Sequence, residues 1–192
     1  MTLSQRFPAL LFEPDYATSD QYDNPALGQA FAMVTMYAAF SSFNAFLSAA
    51  IKSESFSFAL FAFFFSFVLA YISWFVLAFI LHIASELMGG LGEIPNAIAF
   101  TGLGTAPLVV TSVMSVIFTI VGSELFSEDP EGIQRTISFG INLLGIAWGW
   151  TGVLCYFGLK NAERLSSWKA LGLSFVVFVL FAIIEALNSD IL

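Results

Sequence analysis

The chain has 192 residues, of which 58% are hydrophobic and 10% charged, with a formal net charge of −8. A soluble domain carries about 25% charged residues, so this composition argues against an ordinary soluble enzyme and leaves no room for a separate catalytic domain. The deficit of Lys and Arg argues against a nucleic-acid binder, which needs a basic stripe to neutralise phosphates, and against a polybasic lipid-recruiting patch.

Residues 1–24 read as a short N-terminal segment, cytoplasmic or lying in the headgroup plane. "RFPALLFEPDY" mixes apolar and polar positions in the manner of an interfacial segment, although Pro8 and Pro14 limit its helix length. It carries Glu13, Asp15, Asp20 and Asp23 against Arg6, the reverse of a signal peptide, so the first apolar block is expected to be retained. From residue 25 onward the chain reads as one membrane domain, an all-α bundle of five transmembrane helices. The apolar excess falls in blocks of about 20 residues, the length that crosses a bilayer.

The first block runs from about Ala26 to Ile51, with Asn24 as cap and Pro25 at the first helical position. Lys52 to Ser55 is a polar break. The second block, about Phe56 to Ile83, contains "FAFFFSF". The only histidine, His82, stands one helical turn before Glu86 and shares a face with it. With Glu93 these residues are candidates for a metal site or a proton relay. Nothing else in the chain has ligand spacing, and the favoured reading places them at the water interface beside a glycine-rich turn, "SELMGGLGEIP". No metal, cofactor or catalytic group is expected.

The third block, about Asn96 to Gly122, offers Gly102, Gly104, Ala106 and Pro107 as a thin surface. "SELFSEDPEGIQR" is an acidic loop broken by Pro130 and Gly132. The fourth block, about Thr136 to Leu159, carries Gly145 and Gly149 as a GxxxG pair, extended by Gly152. Small residues of this kind are expected where helix backbones approach in lipid. Cys155 has no partner cysteine and reads as a packing residue. The fifth block runs from about Ser166 to Asn188. It holds Glu185, an ionisable group inside a span and so a functional candidate, placed near enough to the span's end to reach water.

Five spans put the N-terminus, the second-to-third turn and the fourth-to-fifth loop on one side. That side carries Arg6, Lys160, Arg164 and Lys169, against Lys52 and Arg135 opposite. The bias predicts a cytoplasmic N-terminus and an outside C-terminus.

Two stretches, "ELMGGLGEIPNAIAFTGLGTAPLVV" and "IAWGWTGVLCYFGLKNAERLSSWKALG", resemble the Yip (Ypt-interacting-protein) membrane domain. The matching features are Gly89, Gly90 and Gly92; Ala106-Pro107; Trp148; Gly158-Leu159; and Ser166, Lys169 and Ala170. The resemblance implies five spans with the N-terminus inside, and a role in membrane traffic through binding of prenylated GTPases by a longer cytosolic N-terminal region. Only about 24 residues precede the first span here, which points to a prokaryotic member in the cell (inner) membrane. The expected function is a non-enzymatic scaffold or interaction partner, in contact with membrane lipids and with other membrane proteins or a second copy. One rival is an accessory subunit of a larger membrane complex. Another is a small transporter or channel with a midplane pocket of Asn142, Thr101 and Ser112.

Overall fold

The computed structural model describes residues 1–51, 55–125 and 130–189, with side-chain positions for all of these but 122–144 and 180–189. Among the described residues all regular structure is helical, in the order α1 (Leu3–Phe12), α2 (Pro14–Thr18), α3 (Leu27–Ile51), α4 (Phe56–Leu87), α5 (Ile94–Leu103), α6 (Ala106–Leu125), α7 (Pro130–Asn161) and α8 (Ser167–Ser189). Among the described residues three segments are long and apolar enough to cross a membrane: Leu27–Ile51, Phe56–Leu87 and Ile94–Val121. The chain is thus an all-helical membrane protein. The fourth and fifth expected spans coincide with α7 and α8, part of whose side chains lie outside the described residues.

The third span is not one helix. Pro107 lacks the N–H that would bond Leu103, and its ring crowds that carbonyl. The chain accordingly breaks between α5 and α6, with the Thr105 hydroxyl donating to the Gly102 carbonyl at 2.7 Å. α5 is the most enclosed element, with Asn96, Ala97 and every residue from Ala99 to Leu103 buried. The share of buried residues is 44% in the α5–α6 window and 17% in that of α4. α5 is therefore central and α4 peripheral, its phenylalanines (Phe58, Phe61, Phe64, Phe65) turned outward to where lipid would lie. α4 packs on α3 and α5, whereas α7 packs on α5, α6 and α8.

Residues 1–24 are part of this bundle and not a loose lead-in. Leu10 of α1 and Ala17 of α2 are fully enclosed in one apolar cluster with Met33, Val34, Trp74, Leu103 and Leu154. The Trp150 indole of α7 donates to the Leu10 carbonyl at 3.0 Å. A second cluster joins Leu81, Phe100, Cys155, Leu159 and Leu165, which places Cys155 in packing contact.

Glycines separate the tight contacts from the loose ones. A Cβ on Gly102 would stand 2.6 Å from that of Ala30, and one on Gly158 would strike the buried ring of Phe100. A Cβ on Gly104 would meet only the carbonyls of its own helix. At Gly145 and Gly149 an added Cβ meets nothing within 4 Å among the described residues, and at Gly152 it reaches Phe178 at 3.7 Å. Gly149 and Gly152 instead floor an apolar groove of about 270 Å³ between α7 and α8, walled by Tyr156, Leu171, Phe175 and Phe178. Of the glycines expected at helix contacts, Gly102 is pressed against α3, whereas Gly149 and Gly152 border the groove that α8 leaves beside α7. Gly158, which is not among them, is pressed against Phe100.

Candidate functional site

The turn after α4 is built by its glycines. Gly89 takes φ 84°, the left-handed conformation that suits a residue without Cβ. The Gly90 N–H then bonds the Ser85 carbonyl at 2.8 Å and the Gly89 N–H that of Glu86 at 2.9 Å, the paired bonds of a Schellman helix end. Lys169 of α8 completes it, donating from Nζ to the Met88 carbonyl at 2.6 Å.

The loop after α7 closes onto this turn. The Leu91 N–H donates to the Glu163 carbonyl at 2.9 Å, and the Ser85 hydroxyl donates to Glu163 Oε2 at 3.0 Å. A Cβ on Gly92 would stand 2.5 Å from that same oxygen, so the glycine makes room for the carboxylate. Glu163 is fully buried and His82 is 7% exposed. His82 Nδ1 faces Glu163 Oε1 at 3.5 Å, and neither atom has a hydrogen bond among the described residues. Burial pushes the Glu163 carboxyl above the ordinary carboxylate range, opposed in part by the Ser85 bond and the charge of His82 and reinforced by nearby Glu86. The two facing atoms thus stand where the turn after α4 and the loop after α7 close on each other.

The N-terminal helices dock on the same end. The Asn96 amide, at the start of α5, donates to the carbonyls of Gln21 at 3.0 Å, Tyr22 at 2.9 Å and Ala162 at 3.3 Å. Arg6, 2% exposed, pairs with Asp20 at 2.8 Å. Asn161 donates to Asp15 Oδ1 at 3.0 Å and Thr18 Oγ1 at 2.9 Å, while Lys160 pairs with Asp15 at 3.1 Å. The Asn161 bond, with Lys160 behind it, holds the Asp15 carboxyl below its usual range despite some burial. Arg164 adopts φ 53°, unusual for a residue with a side chain. Its guanidinium lies 3.6 Å from the centre of the Tyr22 ring and pairs with Asp23 at 3.5 Å.

The segments expected to share one side of the membrane thus meet at one end and are bonded together. Of the candidate residues, His82 is buried inside this junction, while Glu86 and Glu93 are exposed on its rim. The side chain of Glu185 lies outside the described residues. No group of three His, Cys, Asp or Glu suited to a metal occurs among the described residues. Sequence reasoning missed Glu163 and Asn96. The available signals were weak: one acid in the short "KNAERLSS" loop, and one amide directly after Pro95. Of the expected midplane pocket, Thr101 lines a crevice between α3, α4, α5 and α7. Ser112 instead donates to the Leu108 carbonyl at 2.6 Å within α6, and the side chain of Asn142 lies outside the described residues.

Neither a curated protein nor a solved structure gives a match to the chain. The family model of the Yip1 domain matches residues 9–187, a range that takes in the end of α1, both loops of the junction and nearly all of α8. The chain therefore belongs to the Yip1-domain family of helical membrane proteins.

Proposed function

We propose that the protein is a non-enzymatic, five-span membrane scaffold whose bonded polar end presents a preformed surface to a partner. One observation carries this reading. Large apolar side chains stand exposed on segments that buried polar bonds hold fixed: Phe12 is 80% exposed, Leu91 65% and Trp168 81%. Exposed apolar groups on fixed backbone are suited to contact sites, and fixing them beforehand lowers the ordering cost of association. The partner is another membrane protein or a second copy of the chain. Binding of a lipid-anchored GTPase is the variant that the family suggests.

The test is co-purification from gently solubilised membranes, comparing the parent chain with a Phe12→Ser, Leu91→Ser, Trp168→Ser variant. The parent is expected to bring down a stoichiometric partner that the variant loses. An identical set of co-purifying proteins from both overturns the reading.

The orientation we propose is N-terminus cytoplasmic and C-terminus outside, in a prokaryotic cell membrane, supported by the Lys and Arg bias. A cysteine replacing exposed Ser4 is expected to resist an impermeant thiol reagent applied to intact cells, and one replacing Asp190 to react. The reverse pattern overturns the orientation.

A further inference from the structure

The crevice beside Thr101 has a chemistry of its own. Its volume is about 270 Å³, and it sits near the middle of four helices, reached by Tyr37 of α3, Ser73 of α4, Thr105 at the α5–α6 break and Thr151 of α7. Hydroxyl-bearing residues make up seven of its fifteen lining residues, and no charged residue is among them. Each unsatisfied polar group at such depth is costly, and the threonines answer by bonding backbone. Thr105 donates to the Gly102 carbonyl and Thr151 to that of Ala147 at 2.9 Å. Their donors are occupied, while oxygen lone pairs remain available to accept. Ser66 and Ser73 also line the crevice.

The crevice opens sideways. α4 and α7 belong to different packing neighbourhoods, and the cleft between them is bounded by residues that face outward, Ser73 and Leu69, the latter 46% exposed. Its mouth therefore faces the space where acyl chains run. Among the described residues a charged headgroup finds no counter-charge inside, whereas a hydroxyl finds acceptors in the threonine oxygens.

We infer that this crevice is a lateral binding site for an uncharged, oxygen-bearing lipid, with the polar group among the hydroxyls of Ser73, Thr105 and Thr151 and the chain leaving between α4 and α7. The break at Pro107 is what creates it. An uninterrupted third helix would bond the Leu103 carbonyl within itself and carry Thr105 at a different angle.

The full chain, reconstituted in phosphatidylcholine vesicles, is photolabelled with hexadecan-1-ol bearing a diazirine in its chain. A second arm uses the same chain ended by a sulfonate. The alcohol is expected to label the peptides containing residues 66–77 and 148–155 above the outward stretch 58–65, with competition by unlabelled alcohol, and the sulfonate is not. Ser73→Trp, at an exposed position, fills the mouth and is expected to remove the excess labelling. Thr105→Val keeps the volume, loses one hydrogen-bonding group, and is expected to weaken competition roughly fivefold. Equal labelling of the crevice and of 58–65 identifies annular lipid alone and overturns the site. Equal labelling by alcohol and sulfonate, or labelling indifferent to both substitutions, overturns it as well.

Discussion

Two sets of glycines in this chain behave in space opposite to what their sequence patterns suggest. Gly145 and Gly149 form the pattern most readily taken for a helix contact, yet a Cβ at either would meet nothing within 4 Å among the described residues. Gly92, Gly102 and Gly158 belong to no such motif among themselves, and each is pressed against another element. The difference shows that spacing within one helix reports only which residues share a face. Whether that face is occupied depends on where the neighbouring helix goes. α5 runs against α3 and α7, so its small residues are used. α8 leaves a groove beside α7, so the small residues there are not pressed.

The largest expected effect lies on the tight side of that comparison. Gly158→Val drives a branched side chain into Phe100, which is 1% exposed and has no free direction in which to swing. Overpacking of this kind costs about 1–3 kcal/mol or more, read as a large fall in the yield of folded protein and in the detergent melting temperature. A melt like the parent's would show that α5 and α7 are not in contact there. Asn96→Ala comes next. It strips one amide from three carbonyls, those of Gln21, Tyr22 and Ala162, at a cost of about 2 kcal/mol. It should also expose residues 1–24 to protease. Unchanged proteolysis would mean that the N-terminal helices are held by their apolar contacts alone.

The third prediction concerns pH. Glu163 has its folded value raised by burial, so the folded state binds this proton more tightly than the unfolded one. Its stabilising contribution is full below the unfolded value of about 4.3 and is lost as pH rises through the raised folded value. Melting temperature should therefore fall as pH rises above the ordinary carboxylate range, and Glu163→Gln should flatten that fall. An equal slope in the variant would trace the dependence to another group. The smallest effect is expected from Gly149→Leu, within about 0.5 kcal/mol of the parent, since the side chain enters the groove. A drop like that of Gly158→Val would mean that the groove is filled by a second copy or by another membrane protein.

The helices were legible because their apolar blocks are local, and the turn at Gly89 and Gly90 because glycine clusters interrupt such blocks. The break before Pro107 was visible as a residue and not as an outcome, since prolines are tolerated in membrane helices whose freed carbonyls find new partners. Here the Thr105 hydroxyl and N–H both bond the Gly102 carbonyl, one residue before the Leu103 carbonyl that Pro107 frees. Of the site, His82 was legible and its partner was not. Glu163 lies far along the chain, in a loop that by composition belongs to the water. Only the folding of that loop beneath the glycine turn buries it. Asn96 was hidden for the same reason, because its acceptors are backbone carbonyls and carry no residue signature.

The docking of α1 and α2 onto α7 also sets an order of events in biogenesis. Leu10 receives its bond from Trp150 and Asp15 its partners from Lys160 and Asn161, so α1 and α2 wait for α7, which is made later, to close on them. At synthesis rates of about 5–20 residues per second, an interval of some 145 residues is on the order of 7–30 s. Throughout it Leu10, enclosed in the finished bundle, lacks its partners on α7, and the nascent chain offers it to whatever insertase or chaperone stands at the translocation machinery.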